Sequence, residues 1–389
     1  MDHAFLLITL GVLFLGGLAV DQLGRLTRLP RVTMLLILGL LVGQSGLGVL
    51  PEAAVTWFEP ISFVALTMVA FLLGGSLTRE NMASHGRAIL AISLSIVAGT
   101  TVIVFGGLTM LGIDSGLALL LGAIATATAP AAMADVIRQS GIRNGFTETL
   151  NGIVAVDDVW GLIAFSFCLT IVSQSGGWTA PLIGAGRDIG GAVLLGIVIG
   201  APSAFLTGRL KRGEPLQTEA IGVVMLTAGL ALWLEVSFLV AGMTAGSIIA
   251  NFARHHDYAF HEIEHIEWPF MLLFFLLAGA SLELGALWSL GWIGVAYMFL
   301  RIAARLVSGE VGAWIGRVPS VERHAYGPAL LPQAGVAVGM ALVATETVPE
   351  WAPTIMTLTV ASTVVFEIIG PPCTSAAVRF VASESPADA

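Results

Sequence analysis

Charge is scarce in this chain of 389 residues. Only 11% of them are Asp, Glu, Lys or Arg, where a soluble globular chain carries about 25%. Lysine is nearly missing: Lys211 stands alone among 17 basic residues. So few charges cannot cover a soluble surface of this size, which excludes a soluble enzyme, a nucleic-acid binder and a disordered chain. There are two cysteines, Cys168 and Cys373, both in apolar stretches, so neither a disulfide framework nor a cysteine-based metal site is expected. Long hydrophilic loops, charge runs and low-complexity segments are also missing. What is there is apolar: 56% of the residues are hydrophobic. Those residues fall into runs, and the fold class they imply is an all-α polytopic membrane protein.

A transmembrane helix needs about 20 mostly apolar residues. Thirteen such spans are read, near 4–21, 32–49, 58–77, 87–109, 115–137, 147–173, 188–208, 217–234, 236–253, 267–286, 291–315, 325–345 and 353–378. Spans 8 and 9 are separated only by Glu235 and Val236. The first span has no basic leader before it and is read as a membrane helix, not a cleaved signal. With the N-terminus outside and the C-terminus inside, the inner loops hold Arg25, Arg28, Arg31, Arg79, Arg87, Arg138, Arg143, Arg209, Lys211, Arg212, Arg254, Arg317, Arg323 and Arg379. That is 14 of the 17 basic residues, in accord with the positive-inside rule. No soluble appendage is expected. Thirteen spans admit two six-helix halves around a linker helix, inserted as inverted repeats.

Ionisable groups at membrane depth are costly and mark function. Asp157 and Asp158 lie about eleven residues into span 6. Adjacent helical residues diverge by about 100°, so the two carboxylates face different neighbours. One can line a water-filled cavity while the other pairs with another helix. A cation for that pairing is expected in span 11, where Arg301 and Arg305 are four apart and share a face. Gly309 and Gly312 let that span approach a neighbour, and Glu310 offers a structural Arg–Glu network as the plainer alternative.

Span 5 carries Thr126-Ala-Thr128-Ala-Pro130, and span 12 carries Leu331-Pro332-Gln333-Ala-Gly335. Proline removes a backbone hydrogen bond, and irregular backbone at membrane depth is tolerated where it lines a cavity. Freed carbonyls and the hydroxyls of Thr126 and Thr128 are hard oxygen ligands suited to an alkali cation; an ordinary proline kink is the alternative. Asn151, seven residues before Asp158, either lines an ion path or caps the helix. Glu367 precedes Gly370-Pro371-Pro372 and either supports the interrupted region or meets the outside of the bundle. His255, His256, His261 and His265 make a loop able to sense pH, since histidine titrates near pH 6.5, though a solvated polar loop explains them as well.

These stretches resemble the monovalent cation:proton antiporter superfamily, the bacterial sodium/proton antiporters of Asp-Asp type and their relatives, over nearly the whole chain. The residues that carry the resemblance are Thr126 to Pro130, Asp157-Asp158, Arg305 with Gly309 and Gly312, and Pro332-Gln333-Ala334-Gly335. Two further segments are similar to the family's second and third helices: Leu29-Pro30-Arg31-Val32 through Leu47, and Phe71 to Gly74. The resemblance implies a dimerisation domain of helices 1–3 (residues 1–86) and 8–10 (213–287). It implies a moving core of helices 4–6 (87–180) and 11–13 (288–389), and a linker helix at 181–212. It also implies crossed interrupted helices 5 and 12, a homodimer in the bacterial inner membrane, and elevator-like alternating access.

By this resemblance Asp158 binds Na⁺ (or K⁺ or Li⁺) and H⁺ in competition, with Asp157, Thr126 and Thr128 around the ion. Arg305, Arg301 and Glu310 are structural charges, and Asn151, Gln333 and Glu367 are supporting polar groups. No cofactor, enzymatic activity or nucleic-acid partner is expected. The chain departs from the family in having Ala129 where Thr-Asp-Pro members have an acid, Ile153 where electroneutral members have a Glu, and Arg305 where electrogenic Asp-Asp members commonly have Lys. The Asp-Asp pair thus argues for electrogenic exchange and Arg305 for an electroneutral cycle. A sodium-coupled organic-solute symporter of similar interrupted-helix design is the alternative reading.

Overall fold

The computed structural model describes residues 3–27, 30–43, 45–50, 58–173, 179–207, 216–253, 256–281, 291–333 and 335–384. Among them there is no strand. The helices are α1 (His3–Thr27), α2 (Arg31–Val42), α3 (Phe58–Ser76), α4 (Arg79–Met110), α5 (Ser115–Ile124), α6 (Pro130–Ser140), α7 (Gly145–Ser173) and α8 (Thr179–Thr207). They continue with α9 (Leu216–Trp233), α10 (Phe238–Phe252), α11 (His256–Ser281), α12 (Gly291–Ile315), α13 (Ser320–Ala329), α14 (Gly335–Thr347) and α15 (Ala352–Glu384). By length and composition α1, α4, α7, α8, α12 and α15 can each cross a membrane; the other helices are shorter apolar segments.

The chain divides into two compact units, one of residues 1–82 and 186–282, the other of 83–185 and 283–389. The first unit packs its helices through glycine. Gly74 of α3 lies on the Met243 carbonyl of α10, and Gly246 of α10 lies on the Phe71 carbonyl of α3. Gly39 of α2 and Gly279 of α11 make the same reciprocal approach, to the carbonyls of Leu276 and Leu36. Small residues let helix backbones close up where lipid supplies no hydrophobic drive between helices. The narrow division between spans 8 and 9 is a tight turn at residues 234–236. Glu235 there takes φ 55, and the Ser237 hydroxyl caps α10 by accepting from the Val240 N–H at 3.3 Å.

The second unit holds the interrupted helices. Span 5 is two helices, α5 and α6, joined by residues 125–129; span 12 is likewise α13 and α14, joined by 330–334. The first interruption comes before Pro130 rather than at it. Pro130 is the opening residue of α6, where its missing N–H costs nothing, and it holds Ala129 extended (φ −103, ψ 92). The double proline at 371–372 makes no break: α15 runs through it to Glu384. On α12, Gly309 and Gly312 provide the close approach that their spacing implies. A Cβ at Gly309 would sit 2.6 Å from the Gly327 nitrogen of α13, and one at Gly312 would sit 2.7 Å from the Ile92 Cα of α4.

Candidate functional site

An α-helix that ends inside the membrane leaves its last carbonyls without partners and concentrates partial negative charge there. The C-terminal ends of α5 and α13 both pose this problem, and α12 answers it with arginine. Tyr297, Arg301 and Arg305 recur every four residues, so they lie on one face of α12, and all three are 0% exposed. Arg301 donates from Nε to the Ala125 carbonyl (3.1 Å) and through its terminal nitrogens to Ala127 (3.0 Å) and Leu331 (2.9 Å). One guanidinium therefore ties both interruptions together. Its other face is covered by the Phe366 ring, 4.2 Å from the guanidinium carbon, a cation–π contact in a dry setting. Arg305 donates to the carbonyls of Ala125 (3.3 Å), Thr126 and Ala127 (2.9 Å). The Tyr297 hydroxyl reaches the Leu121 carbonyl at 3.4 Å.

The interruptions also meet each other: the Ala129 N–H donates to the Pro332 carbonyl at 3.0 Å. The sequence had offered the freed carbonyls of 125–127 as cation ligands. They are not free, because the fixed arginine charges already occupy them.

Asp157 completes the cluster. It is 2% exposed, and its Oδ2 lies 3.7 Å from the nearer terminal nitrogen of Arg305. The Thr128 hydroxyl bridges the pair, donating to Asp157 Oδ2 and accepting from Arg305 at 3.4 Å. The other carboxylate oxygen of Asp157, Oδ1, is buried with no hydrogen-bond partner. A buried ion pair is stabilising only when its remaining polar atoms are satisfied, and here Thr128 supplies the main support. Asp158 is different: it is half-buried and makes no hydrogen bond or ion pair among the described residues. The adjacent carboxylates are thus one locked and one free.

Thr126 turns its hydroxyl back to the Ala123 carbonyl (2.6 Å). That oxygen also abuts α7: a methyl at Gly161 would sit 3.2 Å from it. Since Gly161 is one turn beyond the aspartates, Thr126 borders them without bonding to either.

The remaining candidates lie further out. Glu310 pairs with His324 at 2.8 Å on an exposed rim, so the Arg–Glu alternative gains no support from Arg301 or Arg305. Asn151 is half-buried two turns before Asp158. Gln333 is 0% exposed in the second interruption and donates to the Thr363 hydroxyl at 3.3 Å. Glu367 lies one turn beyond Thr363 on α15. His255 and the side chains of His256 and His261 fall outside the described residues, while His265 is exposed.

Phe366 and Tyr297 are not singled out by the sequence. Tyr297 had a signal, its four-residue spacing from Arg301. Phe366 had none, because its contact is made only once α15 lies beside α12.

The sequence profile of the family described as sodium/hydrogen exchanger, transmembrane, matches residues 10–377. An ammonium/H⁺ antiporter subunit of Alkalihalophilus pseudofirmus is 22% identical over 327 residues, covering 82% of each chain. A Na⁺/H⁺-K⁺ antiporter of Bacillus cereus is 21% identical over 314 residues, covering 79% of this chain and 78% of that one. The solved structure of a sodium/proton antiporter of Methanocaldococcus jannaschii superposes with a TM-score of 0.81 at 18% identity, covering 100% of this chain and 99% of that one. This last likeness concerns the fold.

Proposed function

The chain belongs to the sodium/hydrogen exchanger family, a family of membrane cation:proton antiporters, and we propose that it exchanges Na⁺ for H⁺ at Asp158 by an elevator-like movement of its second unit. The observation that carries this reading is the contrast at positions 157 and 158. A carrier group must be able to lose one cargo and take another. Asp157 is committed to Arg305 and Thr128, while Asp158 makes no hydrogen bond or ion pair among the described residues that it would have to give up. Low pH protonates Asp158 and excludes the cation; high pH frees it. Na⁺ is taken as the cation because a carboxylate is a hard oxygen ligand suited to an alkali cation and the matching family is described as sodium/hydrogen exchanger. The antiporter relatives favour this over the symporter reading.

The fixed charges bear on stoichiometry. Arginine stays protonated in proteins, so Arg301 and Arg305 are permanent cations. The cluster of Arg301, Arg305, Asp157 and Asp158 is neutral with Asp158 empty. It carries one positive charge when Asp158 holds either Na⁺ or H⁺. Equal charge on both loaded forms makes one-for-one, electroneutral exchange the expected cycle. The division at residues 82/83, 185/186 and 282/283 supports a reading of the first unit as the dimerisation part and the second as the moving core. Thirteen spans in two inverted six-helix repeats, N-terminus outside, complete that reading.

Asp158→Asn in proteoliposomes tests the site. Cation-driven proton flux is expected to vanish while the thermal unfolding of the purified protein is unchanged. Retained, pH-dependent flux in that variant would refute the assignment. In the wild type, an imposed membrane potential is expected to leave flux unaltered, and a potential-driven flux would overturn the one-for-one cycle.

A further inference from the structure

The second interruption contains polar oxygens that the transport reading does not use. Gln333 is fully buried. Its Nε2 donates to the Thr363 hydroxyl at 3.3 Å, but its Oε1 is buried without a donor among the described residues. A buried carbonyl oxygen left unsatisfied is costly, so it marks a missing partner. Thr363, Glu367, Gly370 and Thr374 are spaced by four, three and four, which places them along one face of α15. Three of them touch the interrupted segment. The Thr374 hydroxyl donates to the Ala329 carbonyl at 2.7 Å, a Cβ at Gly370 would sit 2.5 Å from the Pro332 Cα, and Thr363 holds Gln333. Glu367 lies between the last two contacts and so faces the Pro332–Gln333 segment.

Glu367 makes no hydrogen bond or ion pair among the described residues. The elements packed against α15 carry Arg301, Arg305 and Glu310 on α12, and Glu322, Arg323 and His324 on α13. They also carry Asp135 and Arg138 on α6, Glu148, Asp157 and Asp158 on α7, and Glu350 in the turn at Pro349–Trp351. Arg301 comes to α15 at the Phe366 ring. The side chain of Glu346 on α14 lies outside the described residues. Three backbone carbonyls at this place are already matched: Leu331 to Arg301, Pro332 to Ala129, and Ala329 to Thr374.

We propose that Glu367 and Gln333 form a proton-binding site on the second interruption, in which the carboxylic acid of Glu367 donates to Gln333 Oε1. One proton resolves two problems. It removes an unpaired charge from membrane depth, and it supplies the donor that the amide oxygen lacks. The site is distinct from Asp158 and does not depend on which cation Asp158 carries. It also parallels the first interruption. There, residue 128 bonds to residue 157 of the following helix, 29 positions on; here, residue 333 bonds to residue 363, 30 positions on. The first interruption settles its carboxylate with arginine, and the second settles its carboxylate with a proton.

Infrared spectra of the full chain in liposomes at neutral pH test this through the carbonyl stretch of a protonated carboxyl group. The wild type is expected to show a band that is lost in Glu367→Gln, displaced to higher wavenumber in Gln333→Leu, and unmoved by saturating NaCl. If Gln333→Leu does not fold, Gln333→Asn withdraws the oxygen with less disturbance and should displace the band in the same direction. If Glu367→Gln keeps the whole wild-type band, Glu367 is ionised and Gln333 turns its NH₂ towards it, which overturns the proposal. So does disappearance with NaCl of the band that Glu367→Gln removes, which would make the occupant of Glu367 a cation. A band lost in Glu367→Gln but unmoved in both Gln333 variants would overturn the pairing.

Discussion

The two interrupted helices solve the same problem with different chemistry. At residues 125–129, three successive carbonyls are held by two arginine side chains, and a carboxylate stands beside them. At the second interruption the Leu331 carbonyl takes an arginine and the Pro332 carbonyl a backbone N–H, while the Ala329 carbonyl at the end of α13 takes a threonine hydroxyl. The first interruption is therefore an assembly of charges, and the second is mostly a set of neutral hydrogen bonds. Fixed positive charge is concentrated beside the aspartates, where it holds Asp157 and leaves Asp158 without a hydrogen bond or ion pair among the described residues. The contrast also predicts unequal sensitivity to mutation.

The largest effect is expected from Arg305→Ala. It leaves Asp157 as an uncompensated buried anion and strips a donor from three carbonyls at once. Breaking a buried pair by removing one partner costs about 3–5 kcal/mol. Chemical unfolding in mixed micelles should show a loss of that order, with Arg305→Lys intermediate because a point charge cannot fork across three acceptors. A loss under about 1 kcal/mol in Arg305→Ala would mean that the charges at the first interruption are not coupled as their geometry implies.

A smaller loss is expected from Thr128→Val. The hydroxyl links Asp157 to Arg305, and without it a carboxylate oxygen and an arginine N–H both lose a partner. The cost of such an unsatisfied group is about 1–3 kcal/mol, and Thr128→Ser should restore most of it. If Ser fails to restore stability, the methyl group of Thr128 matters more than its bridge.

Much of this was legible in the sequence because charge is so rare in it. Asp157, Asp158, Arg301 and Arg305 stand out of apolar spans, and Pro130 and Pro332 mark the interruptions. The pairing of Arg305 with Asp157 follows from depth and sign alone. The use of the carbonyls does not. Whether Ala125, Thr126 and Ala127 present free oxygens to an ion or bonded ones to a guanidinium depends on where α12 lies, and side-chain spacing carries no such information. Proline likewise gives two different outcomes here, opening α6 at Pro130 yet passing unnoticed through α15 at Pro371 and Pro372. Composition cannot distinguish these, because the outcome depends on whether neighbouring groups take up the freed carbonyls. Glu310 shows a different limit. Its place near the arginines in sequence left a shared network open as the alternative; in the structure it lies on the other side of the helix, five residues on from Arg305, and meets His324.

The smallest effect is expected at the second interruption, from Gln333→Leu. Gln333 gives one hydrogen bond to Thr363, and its oxygen is matched only by the Glu367 proton proposed above. Both are bonds between neutral groups, worth about 0.5–1.5 kcal/mol each. The Thr128 hydroxyl instead bonds to a charged group on each side, and such bonds are worth about 1.5–3 kcal/mol each. The loss of unfolding free energy in Gln333→Leu should therefore be smaller than in Thr128→Val. If Gln333→Leu destabilised the protein as much as Thr128→Val, the second interruption would be as dependent on its polar side chain as the first, and the division between a charged and a neutral solution would fail.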